Sequence, residues 1–104
     1  MMDKFIFAFH GGKMPETPEE GAKIMAKWGA WMEGLGASLA DPGSIVGKSS
    51  TVTPEGVRDD GGPDPLSGYI IVVAADRDVA IEIAKDCPIL ENEGRVEVAP
   101  LMEM

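Results

Sequence analysis

The sequence predicts an α+β domain with the element order βαββαβ and an antiparallel four-stranded sheet. Two observations carry this. Lys4–His10 and Tyr69–Ala74 are short runs that are apolar on both alternating faces, the mark of strands covered on both sides. Each is followed by residues whose apolar members recur at helical spacing, and the chain closes on an alternating stretch, Arg95–Leu101. The order is the ferredoxin-like one. Right-handed crossovers then place the first and third strands in the middle of the sheet, and these are the two strands that are apolar on both faces.

In the first strand, Lys4–His10, Phe5, Phe7 and Phe9 share one face, while Ile6, Ala8 and His10 share the other. Gly11-Gly12 ends it. Thr17-Pro18-Glu19-Glu20 starts a helix: Thr17 caps, Pro18 takes the first helical position, and Glu20 reaches back to the Thr17 amide. Ile24, Trp28, Trp31, Met32 and Leu35 form its apolar stripe, Gly29 offers a place for close backbone approach, and Gly36 stops it. Ser38-Leu39-Ala40 reads as a short extended piece and Ser44–Val52 as the second strand, irregular around Gly47. Residues 53–65 are rich in Gly, Pro and Asp, which predicts a mobile loop. Tyr69–Ala74 is the second central strand. Asp76 caps a helix whose stripe is Ala80, Ile83, Ala84 and Cys87, closed by Pro88. In the last strand Val96 and Val98 share a face, and Pro100 argues for a sheet edge.

A chain of 104 residues makes one domain, 1–104, large enough for a core without disulfides. Its single cysteine excludes an internal disulfide framework. No apolar run approaches the ~18 residues of a membrane span, and no basic region precedes an apolar block at the N-terminus, so the sequence predicts a cytoplasmic protein without a signal peptide. With 18 acidic against 9 basic residues the net charge is −9, which argues against nucleic acid and anionic membranes as partners. Two helices cover one face of a four-stranded sheet. The other face still carries apolar residues, so a partner is expected there, a second copy of the chain.

Several segments together resemble the YCII-related (DGPF-type) small proteins. They are Lys4–Phe9, Lys27-Trp28-Gly29-Ala30-Trp31-Met32, Gly36–Gly43, Ser67-Gly68-Tyr69-Ile70-Ile71, Ala80-Ile81-Glu82-Ile83-Ala84 with Cys87-Pro88, and Val96–Glu103. The resemblance implies a dimeric α/β barrel in which two ferredoxin-like sheets face each other and each subunit offers a cleft. Some members resemble enzymes with a His–Asp pair, the His in the first helix and the Asp before the Pro that follows the second. Here Met25 falls near the His position and Cys87 precedes Pro88, with Asp86 one residue off, so the pair does not carry over. The Asp-Gly-Pro-Phe signature is absent; Asp60-Gly61-Gly62-Pro63 is a loose echo.

The residues that remain as site candidates are few. His10 is the only histidine and could transfer protons near neutral pH, or simply bond locally at a strand end. Ile6, Ala8 and Tyr69 could line a cleft, with Tyr69 offering a hydroxyl. Trp28 could wall a ligand, although its spacing with Ile24 and Leu35 also fits a core or interface anchor. Cys87, on an apolar stripe, reads as a buried inert thiol. No phosphate loop is present, and the acidic residues are too scattered to define a metal site, so neither metal nor cofactor is expected. Three functions fit: a homodimer that binds a small organic ligand in a sheet-face cleft; a small cofactor-independent enzyme with His10 as its proton-transfer group; and a structural or accessory module without a ligand.

Overall fold

The computed structural model describes residues 2–102; Met1, Glu103 and Met104, which the sequence places in the domain, lie outside the described residues. Eight regular elements follow in chain order: β1 Asp3–Gly11, α1 Pro18–Leu35, β2 Leu39–Ile45, β3 Thr51–Thr53, β4 Gly56–Arg58, β5 Leu66–Ala74, α2 Arg77–Ala84 and β6 Gly94–Pro100. The main sheet is antiparallel with the order β2-β5-β1-β6, so the two strands that are apolar on both faces are central. β6, which ends at Pro100, is an edge strand. The fold is ferredoxin-like.

Both helices pack on one face. Phe5, Phe7 and Phe9 of β1 and Ile70, Val72 and Ala74 of β5 are buried there with Ala80 and Ala84 of α2, and no polar side chain among the described residues joins them. α1 lays its stripe over this layer without fully burying any residue. Trp31 stacks on Phe7 with centroids 6.5 Å apart, and Trp28 meets Phe9 edge-on at 5.1 Å. The opposite face carries Ile6, Ala8, Tyr69, Ile71, Val73 and Ala99, each half-buried and covered by no other element. The molecule is therefore a slab of 44 × 42 × 18 Å. Its radius of gyration is 15.0 Å, against about 13 Å for a globule of this length. Its surface is 7248 Å², against about 5,600 Å² for a monomer of 11.0 kDa.

The local chemistry agrees with the sequence at most helix ends. The Thr17 hydroxyl accepts from the Glu20 amide at 3.0 Å, and Gly36 closes α1 at φ 52°. Asp76 caps α2 by accepting from the Val79 amide at 3.0 Å. The Glu20 carboxylate, however, accepts from the Glu16 amide at 3.4 Å rather than from Thr17. Gly29 is exposed with no heavy atom within 4 Å of a built Cβ, so no close approach occurs there. α2 stops at Ala84, earlier than its stripe predicts. Pro88 disfavours helical backbone at the residue before it, and Cys87 accordingly sits at φ −66°, ψ 130°, opening a 3₁₀ turn over Pro88–Asn92. Cys87 is buried all the same.

The larger differences concern residues 39–65. β2 runs over Leu39–Ile45, upstream of the expected Ser44–Val52, and shifts register twice against β5. Pro42-Gly43, turn-forming by composition, lies inside this edge strand. Gly43 adopts φ 61°, its amide donates to the Asp41 carboxylate at 2.8 Å, and a Cβ there would fall 1.7 Å from the Tyr69 carbonyl oxygen. Residues 51–58, all but Thr51 and Val52 assigned to the loop, pair instead as a separate β3–β4 hairpin that joins Thr51 to Arg58 and Thr53 to Gly56.

Two glycine substitutions separate these backbone roles. Gly43→Ala should destabilise the fold by about 2 kcal/mol or more, through strain and collision with β5. Gly29→Ala should stabilise it by ~0.5–1 kcal/mol, through helix propensity alone. Denaturant midpoints measured side by side check both.

Candidate functional site

With the phenylalanines of β1 turned inward, strand alternation turns Ile6, Ala8 and His10 outward onto the open face. At His10 the pairing slips. Phe9 pairs with Gly68 but His10 with Leu66, leaving Ser67 as an extra residue whose hydroxyl donates to the Phe9 carbonyl at 3.0 Å. On the other side His10 pairs with Arg95 and Ala8 with Glu97, so alternate residues of β6 flank the ring. His10 Nε2 lies 2.9 Å from Glu97 Oε1. Nδ1 lies 3.2 Å from the Asp64 carbonyl oxygen and 3.7 Å from its carboxylate. The Asp64 carboxylate is ion-paired with the Arg95 guanidinium. The His10 side chain is 13% exposed, whereas those of Asp64 and Glu97 are 53% and 68% exposed.

Both ring nitrogens of His10 thus face acceptors. A neutral ring carries one N–H and can donate to one of them; a doubly protonated ring donates to both. The hydrogen bond from Arg95 holds the Asp64 carboxyl below the usual carboxylate value; loss of solvent opposes this, and the charges of Arg95 and His10 reinforce it. Glu97 and Asp64 approach opposite edges of the ring, an arrangement that does not converge on a common metal position. Among the described residues no group of three His, Cys, Asp or Glu side chains could hold an ion.

The structure brings together His10, Ile6, Ala8 and Tyr69, the last pairing directly with Ala8. It does not bring Trp28 to them. That ring lies across the sheet against Phe9 and, at 5.8 Å, Trp31. Two grooves lie beside the helices, and none of these five residues lines either. One, of about 350 Å³, is walled by Ile81, Ala84, Leu90, Val96 and Val98. The other, of about 220 Å³, runs between α1 and the 3₁₀ turn and is lined by Ile24, Lys27 and Pro88 among others.

Sequence reasoning leaves out Arg95, Glu97 and Asp64. A signal for the first two exists: Arg95 and Glu97 alternate with Val96 and Val98, so a β6 that buries its valines must present both charges beside β1. Which residue of β1 they meet depends on register, which the sequence does not state. Asp64 carries no such signal, since nothing in the loop says where it folds back.

A family model for the YCII-related domain matches residues 6–104. The chain belongs to the YCII-related domain family. Among curated proteins, no sequence matches it. Near the places where the resemblance puts the His–Asp pair of some members, this YCII-related protein has Met25 and Cys87, whose side chains do not take up that role. Met25 is 64% exposed and has no proton to exchange. Burial pushes the Cys87 thiol up to about 11, so near neutral pH it is un-ionised and a poor nucleophile. Asp86, one position earlier, is exposed.

Replacing Arg95 tests the electrostatics. In Arg95→Gln the Asp64 carboxyl should titrate at a higher pH than in the parent, back toward its ordinary 3.8. A folded value depressed by Arg95 means that the pair stabilises the fold above the unfolded value and loses this as pH falls through the folded one. The parent should therefore lose more stability on acidification than Arg95→Gln does, as read by carboxyl NMR titration together with denaturant midpoints at several pH values.

Proposed function

We propose that this protein is a homodimer that binds a small organic ligand in a cleft on the sheet face opposite its helices. The observation that carries this reading is the make-up of that face. An apolar strip, Ile6, Ala8, Tyr69 and Ile71, runs into one polar cluster, His10 with Glu97, Asp64 and Arg95. Apolar walls with a few convergent polar groups are the usual make-up of a ligand site.

The dimer is supported by surface area. The excess over a monomer of this mass is about 1,600 Å², more than the ~800 Å² that each partner gives to a standard interface. A second copy placed sheet to sheet would cover the open strip, bring the slab nearer a globule, and enclose a cleft between two identical faces. The fold alone offers no other cover, because both helices pack on the far side.

One observation favours a catalytic variant of the same site. Glu97 fixes the His10 ring at 2.9 Å, as an orienting carboxylate does for a general base. Proton transfer to a substrate would need one ring nitrogen to be free, and here both are engaged. Binding is therefore the reading the geometry supports better.

At micromolar concentration, sedimentation equilibrium should give twice the 11.0 kDa chain mass. Ile71→Glu, which charges the open face without touching the helix layer, should keep the far-UV spectrum and give a monomer. A parent protein that sediments as a monomer, or an Ile71→Glu variant that stays dimeric, would reject the sheet-to-sheet assembly. A thermal-shift screen of metabolites against the parent and His10→Gln then tests the ligand. Stabilisation of the parent that is weakened in a folded His10→Gln places binding at this end of the face.

A further inference from the structure

Asp64 brings a carboxylate to the open face from outside the sheet. It reaches the open face from the segment between β4 and β5, and its side chain is more than half exposed. No residue of 47–65 is buried, so Asp64 supports no core. Its carboxylate nevertheless has the surroundings of a bound anion. The Arg95 guanidinium is paired with it, and His10 Nδ1, whose hydrogen-bond partner is the Asp64 carbonyl oxygen at 3.2 Å, lies 3.7 Å from the carboxylate, near enough to add its charge when protonated. A guanidinium presents a planar fork of donors matched to a carboxylate. Glu97, at 2.9 Å on the far edge of the imidazole, keeps the Nδ1 edge turned toward that place. From there the face continues directly onto Ala8, Tyr69 and Ile6. Fork and ring at one end, with an apolar strip leading away, complement a molecule that has a carboxylate at one end and an apolar body.

We propose that Arg95 and His10 form a carboxylate-binding site, occupied in the free protein by the chain's own Asp64, and that the ligand is a small apolar monocarboxylic acid which displaces it. The proposal rests on the ligand-binding reading of this face and names the chemistry which that reading leaves open. Exchange of one carboxylate for another keeps the ion pair, so affinity should grow with the length of the acid's apolar body. Asp64, like a carboxylic acid ligand, is ionised at neutral pH, so the site holds an anion in either state. The net charge of −9 repels anions at long range. At physiological salt that repulsion is screened beyond about 8 Å, which leaves the local pair in control.

The test is an NMR titration with butyrate, hexanoate and octanoate, and with hexanamide as the uncharged match, on the parent, Asp64→Asn and Arg95→Gln. Asp64→Ala serves as a second plug-free variant, and amide spectra confirm that each protein is folded. Removing the internal carboxylate should tighten hexanoate binding by about tenfold, and Arg95→Gln should weaken it by at least about tenfold. Affinity should rise from butyrate to octanoate, hexanamide should bind poorly to every variant, and the shifts should centre on His10, Tyr69 and Arg95. If hexanoate and hexanamide bind this face equally well and Arg95→Gln changes nothing, the carboxylate inference falls while the ligand cleft stands. If the shifts centre on the grooves beside the helices, or if neither compound binds any folded variant, the inference and the ligand-binding reading fall together.

Discussion

The structure depends on the alternation of a single central strand. Phe5, Phe7 and Phe9 occupy every second position of β1 and are buried against the helix layer, flanked by Ile70 and Val72 of β5 and closed over by Trp28 and Trp31. A strand has period two, so a slip of one residue would exchange its two faces. Three aromatic rings locked under the helices make that slip prohibitive, because it would expose all three and bury His10 in an apolar layer. The position of His10 on the open face follows from parity, without any interaction of its own.

The neighbours of His10 are fixed in the same indirect way. β6 packs Val96 and Val98, half-buried, against the core on the helix side, so Arg95 and Glu97 must rise on the other. The extra residue at Ser67 breaks the β1–β5 ladder at the level where the loop carrying Asp64 comes back to the sheet. Two edges of one ring then meet two acids, one from the edge strand and one from the loop. His10, Arg95 and Glu97 hang on strands that are held by apolar contacts on the helix side, whereas Asp64 comes from a segment with no buried residue and meets the cluster through Arg95 and His10.

Much of this was legible in the sequence because it rests on short-range patterns. The two strands apolar on both faces, the Thr17 and Asp76 caps, and the division of β1 into a phenylalanine face and a face with Ile6, Ala8 and His10 all follow from spacing; which of the two faces turns inward does not. Three things were not legible. β2 was displaced because Pro42-Gly43 looks like a turn, and only the close approach of the Tyr69 carbonyl explains a glycine inside that strand. The β3–β4 hairpin was hidden in a stretch whose composition is that of a loop. The partners of His10 depend on strand register and on where a loop lands, neither of which is a local property. Trp28 was ambiguous for a different reason. Its helical spacing serves a core equally well, and the structure sets it against Phe9 on the far side of the sheet.

The chain leaves the sheet after Ile45 and returns at Leu66, and across this gap the Val46 amide donates to the Ser67 carbonyl oxygen at 3.0 Å. Everything between them, the hairpin and Asp64 included, is a detour whose two ends are already tied together. A detour of that kind can lengthen, shorten or change its residues while the slab behind it stays the same. The fold thereby separates the part that must be conserved in shape from the part free to diversify, and Asp64 travels with the second. Among chains sharing this scaffold, changes of sequence can accumulate in one surface segment without passing through an unfolded intermediate.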